Sequence, residues 1–510
     1  MERRRRNRLT RAATAGFIPA LRTVGVTLAV VLTAAAIASA PAAHAATSVP
    51  INVGSASVGP AVAAGFVGLA TEYWDVEKEV GTDPTDPDVP FEQIARNLAP
   101  YGGLTLRIGG DSTDWTWWPI PGLKQPPWVR FTMTPTLAAV TKKLADDLHA
   151  HLIVGINMES DNLRIADTEV RELASHLGPS VPTTYEVGNE PELYSKFPFY
   201  DDTAGQPVLG RAKGYSFEDI AAQWDHIADA LPGVRLAGPG YSSLNALPDV
   251  GQFLDSTRHL SLLTVHSYPL RATRCGGGSL QESQLFEPTS LEELAAQVGS
   301  WTSLARRHGV PVRVDEMNSV TCGGVPRFSN SFGPALWALN ILPLYADAGA
   351  AGVNFQTRPL TAQNLVQTSE THSGWQVQVQ PEYYGLLTFA QLTPPGSHML
   401  QIPAMPDGLY AWAVRTPHGQ TNVVVTNVTA STTTVAIRAH GVRGAASMEA
   451  LRAASGRLQA TGGVTLGGQK ISPSTGQLTG KAITTTVRSS HGEYDVRVPA
   501  ESAAIITFTH

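Results

Sequence analysis

The sequence has no excess of positive charge, and none of its residue groups has metal-ligand spacing. Its 37 Lys and Arg residues are outnumbered by 43 Asp and Glu residues, which gives a formal net charge of -6. Nucleic acid is therefore not an expected partner, because proteins that bind it concentrate basic residues. Since no cluster of His, Cys, Asp and Glu has the spacing of a ligand set, no metal site and no other cofactor is expected.

The sequence also lacks a long apolar run. The clearest one, residues 24–37, has about 14 residues, whereas a membrane-spanning helix needs roughly 20. It follows the basic residues Arg3 to Arg6, Arg8 and Arg11 and precedes Ala43-His44-Ala45, which is typical of a signal peptide and its cleavage site. We therefore expect residues 1–45 to be a signal peptide and the mature chain to be secreted, without stable membrane insertion. An uncleaved membrane anchor is the alternative.

A chain of 510 residues exceeds what one hydrophobic core usually organises, so two domains are expected. Over residues 60–394, short apolar runs alternate with helix-like stretches such as 135–149 and 291–308. This alternation predicts a parallel sheet, and eight units predict an α/β fold of the TIM-barrel type, (β/α)8. The eight runs are 65–71, 104–108, 152–156, 184–187, 234–237, 262–266, 310–314 and 352–355.

The character of the sequence changes after residue 394. Short strand-like runs separated by Gly, Ser, Asn and Pro, with no evident helix, predict a C-terminal antiparallel β-sandwich over residues 395–510. Residues 46–59 are a candidate to join it, because 49–58 alternates like a strand. The C-terminal runs are 410–414, 421–428, 432–438, 448–451, 482–487 and 503–507.

Two of the predicted barrel strands end at a glutamate. Glu190 follows the fourth run and Glu316 follows the seventh. Catalytic groups in such barrels lie at the carboxyl ends of strands, and glycoside hydrolysis needs two carboxyl groups. Because side chains alternate along a strand, we expect Asp315 to point away from the mouth that Glu316 faces. Taken singly, the Asn-Glu-Pro of Glu190 could be a common loop tripeptide, and a strand-end glutamate such as Glu316 could be an ion-pair partner.

The residues around these glutamates resemble a clan of retaining (β/α)8 glycosidases with Asn-Glu after strand four and Glu after strand seven. Within that clan the chain is similar to glycoside hydrolase family 79, the β-glucuronidase and heparanase-like enzymes. The similarity is carried by LRIGGDSTDW at 106–115, YEVGNEPE at 185–192, VHSY at 265–268, and DEMNS at 315–319 with the glycines at 323 and 324.

The resemblance implies a double displacement with Glu190 as acid/base and Glu316 as nucleophile. Arg107 is either a buried partner of the catalytic carboxylates or a structural ion pair. His266 either orients its neighbours or is a satisfied strand-end histidine. The implied contacts to a carbohydrate substrate come from Glu72, Asp111, Asn189, Tyr268, Thr321 and Gly323.

The substrate implied by the resemblance is a β-glucuronide, although one position departs from the family pattern. Members that bind a uronic acid supply a tyrosine hydroxyl and glycine amides from the loop after the nucleophile. Here Thr321 stands in the tyrosine's place and Gly323 follows it. A β-glucoside or another neutral glycoside is therefore the alternative, and a carbohydrate-binding protein without activity is a further one.

The two cysteines of the chain are a disulfide candidate. Cys275 follows the sixth predicted strand and Cys322 follows the seventh, so their loops are expected to be neighbours on the same face of the barrel. A bridge there would fix the substrate-binding loop.

Overall fold

The fold is described from a computed structural model, which covers residues 48–242 and 247–508. The predicted signal peptide, residues 1–45, lies outside the described residues. Within the described part of the chain, no helix combines the length and the apolar character that crossing a bilayer requires.

Eight parallel strands close into a barrel in chain order, which confirms the predicted barrel. Its interior is lined largely by buried side chains, as expected for a barrel of this size. The strands are β1 (Val67–Glu72), β2 (Thr105–Gly109), β3 (His151–Ile156), β4 (Thr183–Val187), β5 (Leu236–Tyr241), β6 (Leu260–Ser267), β7 (Val312–Met317) and β8 (Gly352–Gln356).

One long helix follows each strand and packs outside the barrel. The helices are α1 (Val89–Asn97), α2 (Pro135–Leu148), α3 (Leu163–Leu177), α4 (Phe217–Asp229), α5 (Leu247–Ser256), α6 (Glu292–Arg307), α7 (Phe332–Asp347) and α8 (Pro381–Leu392). Shorter helical segments are Val76–Val80, Ser112–Trp115, Pro191–Leu193, Thr273–Cys275, Glu282–Phe286 and Pro288–Ser290.

Local sequence signals set the ends of these helices. At the start of α2, the Thr134 hydroxyl accepts a hydrogen bond from the Leu137 N–H at 3.0 Å, and Pro135 occupies the first turn. Helix α4 begins with a reciprocal capping box between Ser216 and Asp219. The prediction for 135–149 was one residue too long, because His149 adopts a left-handed conformation with φ of 49° and ends the helix.

Two antiparallel-rich sheets form the C-terminal sandwich. The larger sheet contains Ser57–Val58, His398–Leu400, Leu409–Arg415, Thr421–Asn427, Ser502–Phe508, Ala445–Ala453 and Val464–Leu466 in that order, and Thr485–Arg488 also pairs with Ala445–Ala453. The second sheet has the order Val49–Val53, Thr433–Ala439, Tyr494–Val498. The chain therefore enters the sandwich before it builds the barrel.

Four two-stranded ribbons complete the strands. They are Thr116–Trp117 with Phe131–Thr132, Pro198–Asp201 with Pro207–Leu209, Val366–Thr371 with Gly374–Val379, and Lys470–Ile471 with Leu478–Thr479. The first three lie in the segments that follow β2, β4 and β8, so they build up the end of the barrel at which the strands finish.

The barrel and the sandwich share one continuous hydrophobic core. Helix α7 is buried almost all round, unlike a helix with one solvated face. Helix α8 packs against it, and Phe389 of α8 contacts Trp412 of the larger sheet at a ring separation of 5.8 Å. A separate cluster that includes Ile51 fills the space between the two sheets.

Candidate active site

The backbone after β4 brings Glu190 to the barrel mouth. Gly188 has φ of 84°, and a Cβ at that position would lie 2.9 Å from the sulfur of Met158, so the tight turn favours glycine. Glu190 itself has a left-handed φ of 49°, uncommon for a residue with a side chain. Its N–H donates to the Gly240 carbonyl at 3.0 Å, which ties the turn to the end of β5.

The end of β7 carries a bulge. Because of it, the side chain of Asp315 does not point away, as strict alternation had predicted. Val265 pairs with Val314, but His266 pairs with Glu316, so one residue is skipped in the register. The Asp315 carboxylate therefore lies 3.5 Å from Arg107 Nε inside the barrel, fully buried. Strict alternation would have turned it away, and the bulge is the physical reason that it does not.

Glu316 is held by two donors at the mouth. The Tyr268 hydroxyl donates to Glu316 Oε1 at 2.8 Å, and Arg107 Nη1 donates to Oε2 at 2.6 Å. Burial by itself would raise the pKa of Glu316, but the positive charges of His266 and Arg107 and the hydrogen bond from Tyr268 outweigh it and hold the pKa below its usual value. Glu316 is thus kept ionised.

The pKa of Glu190 is shifted in the opposite direction. Burial raises its pKa, and the nearby negative charge of Glu316 raises it further, although a hydrogen bond with His266 works against both. The distance from His266 Nδ1 to Glu190 Oε1 is 2.9 Å. Two carboxyl groups whose surroundings move their pKa values apart are the pattern of an acid and a nucleophile.

His266 lies between the two glutamates. Its Nδ1 is 2.9 Å from Glu190 and 3.9 Å from Glu316. Burial lowers the pKa of His266, but Glu316 and Glu190 together raise it to about 10, so the ring carries a positive charge at neutral pH. Of the two interpretations that the sequence left open, the contacts favour an orienting role.

Glu190, His266 and Glu316 present donor atoms that all lie within 4.8 Å of one another. Sequence spacing did not reveal this cluster, because its members come from three strand ends. It fits a metal ion poorly. Both oxygens of Glu316 already accept hydrogen bonds from Tyr268 and Arg107, and the positive charges of His266 and Arg107 oppose a cation.

Arg107 joins the catalytic carboxyl groups to the barrel interior. Besides Glu316, its guanidinium donates to Glu186 Oε2 at 2.8 Å and to Asn189 Oδ1 at 2.9 Å, and its side chain is fully buried. Burial alone would raise the pKa of Glu186, but the charge of Arg107 lowers it to about 2. Both interpretations of Arg107 therefore hold, because the same guanidinium contacts the catalytic carboxylate of Glu316 and the structural carboxylate of Glu186.

The predicted substrate contacts Glu72, Asp111 and Asn189 lie around the same mouth. Glu72 Oε2 accepts a hydrogen bond from the Ser112 N–H at 2.8 Å, and burial, with Asp111 nearby, raises its pKa to about 8. Asp111 is half exposed and faces Arg358 Nη1 at 3.6 Å. Because Asn189 uses its oxygen on Arg107, its amide protons remain to be donated.

The loop after β7 carries Thr321 and Gly323, the remaining predicted contacts. The Thr321 N–H donates to the Leu270 carbonyl at 3.0 Å, which joins this loop to the one after β6. A disulfide between Cys275 and Cys322 links the same two loops, with Cα atoms 6.7 Å apart. The two loops are thus fastened both covalently and by hydrogen bonding.

Sequence reasoning missed Arg358 and Gln363, which follow β8. The Gln363 side chain donates to the Tyr268 hydroxyl at 3.1 Å, behind the bond from Tyr268 to Glu316. Arg358 lies 5.9 Å from the ring centroid of Trp74. Its place directly after the eighth apolar run was a signal that could have found it, since every strand end faces the mouth.

Comparison with known proteins gives matches of two kinds, and no family model matches the chain. The chain is 28% identical over 174 residues to a β-glucuronidase of Aspergillus niger, an alignment that covers 31% of this chain and 30% of the fungal protein. The chain thus aligns with less than a third of the length of that curated relative.

Solved structures match over most of the chain at low sequence identity, so they support the fold alone. A 4-O-α-L-rhamnosyl-β-D-glucuronidase from Fusarium oxysporum matches with a TM-score of 0.69 and 17% identity, covering 89% of this chain and 100% of that one. An arabinofuranosidase of glycoside hydrolase family 51 from Xanthomonas axonopodis matches with a TM-score of 0.63 and 14% identity, covering 90% and 100%. By local sequence and by fold, the chain is similar to the β-glucuronidase-like glycoside hydrolases.

Proposed function

We propose that this protein is a retaining β-glycosidase with Glu190 as acid/base and Glu316 as nucleophile. The observation that carries the proposal is the cluster of Glu190, His266 and Glu316, whose donor atoms lie within 4.8 Å of one another. Retaining pairs have carboxyl groups about 5 to 5.5 Å apart, whereas inverting pairs leave about 6.5 to 9.5 Å for a water molecule. The short separation favours direct attack on the sugar.

In the first step, ionised Glu316 attacks the anomeric carbon while the bond to the leaving oxygen breaks. Glu190, whose pKa is raised by burial, donates its proton to that oxygen. The leaving group departs as an alcohol, and the sugar stays attached to Glu316 as an ester. The amide protons of Asn189 are placed to donate to a sugar hydroxyl beside this bond.

In the second step, water releases the sugar. Esterification removes the negative charge of Glu316, which had helped to raise the pKa of Glu190. Glu190 is then a carboxylate that takes a proton from water, and the resulting hydroxide attacks the anomeric carbon. The ester bond breaks, Glu316 regains its charge, and the configuration at the anomeric carbon is retained.

The proposed substrates are β-glucuronides. This proposal is supported by the alignment with the Aspergillus niger β-glucuronidase and by the resemblance of the motifs around Glu190 and Glu316. A neutral β-glycoside such as a β-glucoside is the second candidate, because Thr321 stands where uronate-binding relatives have a tyrosine. A carbohydrate-binding protein without activity is a weaker candidate, since such a protein has no need of two carboxyl groups whose pKa values are shifted in opposite directions.

Export is part of the proposal. The basic start, the apolar residues 24–37 and the small-residue site at 43–45 support a cleaved signal peptide and an extracellular site of action. The N-terminal sequence of the protein recovered from the medium, with Ala46 as the expected first residue, tests this point.

Turnover of nitrophenyl β-glucuronide and nitrophenyl β-glucoside by wild type, Glu316→Gln and Glu190→Gln tests the chemistry. Both variants are expected to lose at least about 10³-fold in kcat, because each removes a group that acts on the reacting atoms. Proton NMR should show the β-anomer of the sugar released first. Glu370→Gln, an exposed carboxyl on a surface ribbon, is the matched control. Release of the α-anomer first, or full activity of Glu316→Gln, would refute the proposal.

A further inference from the structure

A carboxylate on the substrate needs a positive partner, and the cations nearest the glutamates are already engaged. Arg107 pairs with Glu316 and Glu186 inside the barrel, and Arg358 faces Asp111 at the rim. The mouth therefore presents several carboxyl groups of its own, which repel a uronate unless a further donor compensates. Such a donor has to come from the remaining basic side chains of the catalytic face.

Arg274 is such a side chain. It lies in the loop after β6, is exposed, and within residues 48–242 and 247–508 has no carboxylate as an ion-pair partner. Its guanidinium rests against Gly323 in the loop after β7. A Cβ at Gly323 would lie 2.6 Å from Arg274 Nη2, so the glycine makes room for the guanidinium. The φ of 75° at Gly323 also favours glycine.

The disulfide explains why these two residues meet. Cys275 is the direct neighbour of Arg274, and Cys322 is the direct neighbour of Gly323. The covalent bond between the two cysteines therefore holds Arg274 and Gly323 side by side and prevents the two loops from moving apart. A long exposed arginine loses substantial side-chain freedom when it is ordered. Because the disulfide holds the adjacent residue, substrate binding has to order less of the arginine.

The hydrogen bonds that close the turn at Gly323 leave one of its backbone donors outside them. It is closed by the bond from the Gly324 N–H to the Thr321 carbonyl at 3.1 Å and by the bond from the Gln363 N–H to the Gly323 carbonyl at 3.2 Å. None of the bonds that hold the turn uses the Gly323 N–H. A guanidinium and a backbone N–H side by side form a charge-assisted receptor for a carboxylate.

Two residues, Gln363 and Tyr268, connect this receptor to the nucleophile Glu316. Gln363 accounts for the link: its backbone N–H bonds Gly323, and its side-chain amide bonds the Tyr268 hydroxyl. Tyr268 in turn donates to Glu316. This chain of hydrogen bonds connects the loop that carries Gly323 to the carboxylate that meets the anomeric carbon.

From this juxtaposition we infer that Arg274, fixed by the disulfide between Cys275 and Cys322, binds the carboxylate of a uronic acid together with the Gly323 N–H. Arg274 thus supplies a donor where uronate-binding relatives have a tyrosine and this chain has the shorter Thr321. The inference rests on the proposed glycosidase function and makes its substrate class specific.

The test compares Arg274→Gln and Arg274→Lys with Arg271→Gln, an exposed arginine of the same loop as matched control. Arg274→Gln is expected to lower kcat/KM for nitrophenyl β-glucuronide about 10- to 100-fold, mainly through KM, because it removes a charge-assisted hydrogen bond. Turnover of nitrophenyl β-glucoside should stay within about twofold of wild type. Arg274→Lys should restore part of the loss, and Arg271→Gln should match wild type. Equal losses on both substrates, or none on the glucuronide, would overturn the inference.

Calorimetric binding of glucuronate and of glucose separates this inference from the glycosidase proposal. Glucuronate is expected to bind wild type and to lose about 10-fold or more in affinity with Arg274→Gln, whereas glucose binding is unchanged. If this pattern holds in a protein that cleaves neither nitrophenyl substrate, the receptor stands and the proposed catalysis fails. If both substrates are cleaved and glucuronate binding ignores Arg274, the catalysis stands and the receptor is refuted.

Replacing both Cys275 and Cys322 by serine tests the role of the bridge. The preference for glucuronide over glucoside is expected to fall by less than it does in Arg274→Gln, since the cation remains but is no longer held in place. An unchanged preference would refute the part assigned to the disulfide. The melting temperature of each variant shows whether a loss of activity reflects a loss of fold.

Discussion

At the scale of single residues, the site is a balanced set of charges in a buried space. Arg107 and His266 carry positive charge, and Glu186 and Glu316 carry negative charge. Burial raises the pKa of Asp315 well above its usual value, and Glu186 raises it further. Because removal of one member leaves an unpaired charge in low dielectric, each member fixes the protonation state of the others.

His266→Gln is expected to move the whole pH profile of kcat/KM to higher pH. The positive charge of His266 lowers the pKa of Glu316, so its loss raises that pKa and moves the acidic limb upward. The hydrogen bond of His266 also lowers the pKa of Glu190, so the basic limb moves upward too. A shift on the order of one pH unit is expected from the loss of a neighbouring charge.

Rates measured between pH 3 and pH 9 or so, across the range in which carboxyl groups and their neighbours titrate, check the shift. His308→Gln is the control, because His308 lies at the exposed end of α6 beside Asp255. If the limbs of His266→Gln coincide with those of wild type, His266 does not set the pKa values of the two glutamates.

At the scale of elements, the strand Val49–Val53 binds the start of the described chain to its C-terminal sandwich. It pairs in parallel with Thr433–Ala439 over five residues. The strand alternates between buried and exposed side chains, with Ile51 fully buried and Asn52 exposed. Such a pairing between the ends of a chain depends on burial of one face and cannot be read from the strand pattern alone.

Ile51→Ala is expected to lower the free energy of unfolding by about 2 to 5 kcal/mol, because it leaves a cavity between the two sheets. Asn52→Ala, on the opposite face of the same strand, is the matched control and is expected to change it by less than about 0.5 kcal/mol. Urea unfolding followed by tryptophan fluorescence measures both values. Equal effects of the two substitutions would show that the strand is not packed into the sandwich.

At the scale of the whole molecule, the barrel and the sandwich depend on each other. Their apolar side chains belong to one core, in which Trp412 and Ile505 of the larger sheet join the residues of α7 and α8. A face of this kind, made of buried aromatic and aliphatic groups, is too apolar to be left in water. The two parts are therefore expected to unfold together.

Differential scanning calorimetry of the chain from residue 46 onward should show one cooperative transition. Trp412→Ala is expected to lower the temperature of that entire transition, because it removes about 3 to 5 kcal/mol of core packing. Arg488→Ala, an exposed residue of the sandwich, should leave it unchanged. Two separate transitions, with only one displaced by Trp412→Ala, would show that the parts are independent.

The sequence alone determined the alternation of eight strands and helices and the two strand-end glutamates. These features are local, because the periods of strands and helices and the motifs at strand ends lie within a few residues of each other. Strands such as Tyr494–Val498 were missed, since a short strand is ambiguous outside its sheet. The predicted orientation of Asp315 was wrong for the same reason. It used only local alternation, whereas a bulge in the pairing of β6 with β7 interrupts that alternation.

Only the tertiary structure decided which side chains meet. Arg107 reaches Glu186 and Glu316 from different strands, and the disulfide brings Arg274 against Gly323 across 49 positions of sequence. No local pattern encodes such contacts, because closure of the barrel and the course of its loops set them together. The charges of the site acquire their values only there, since burial and neighbours, and not residue type, fix each pKa.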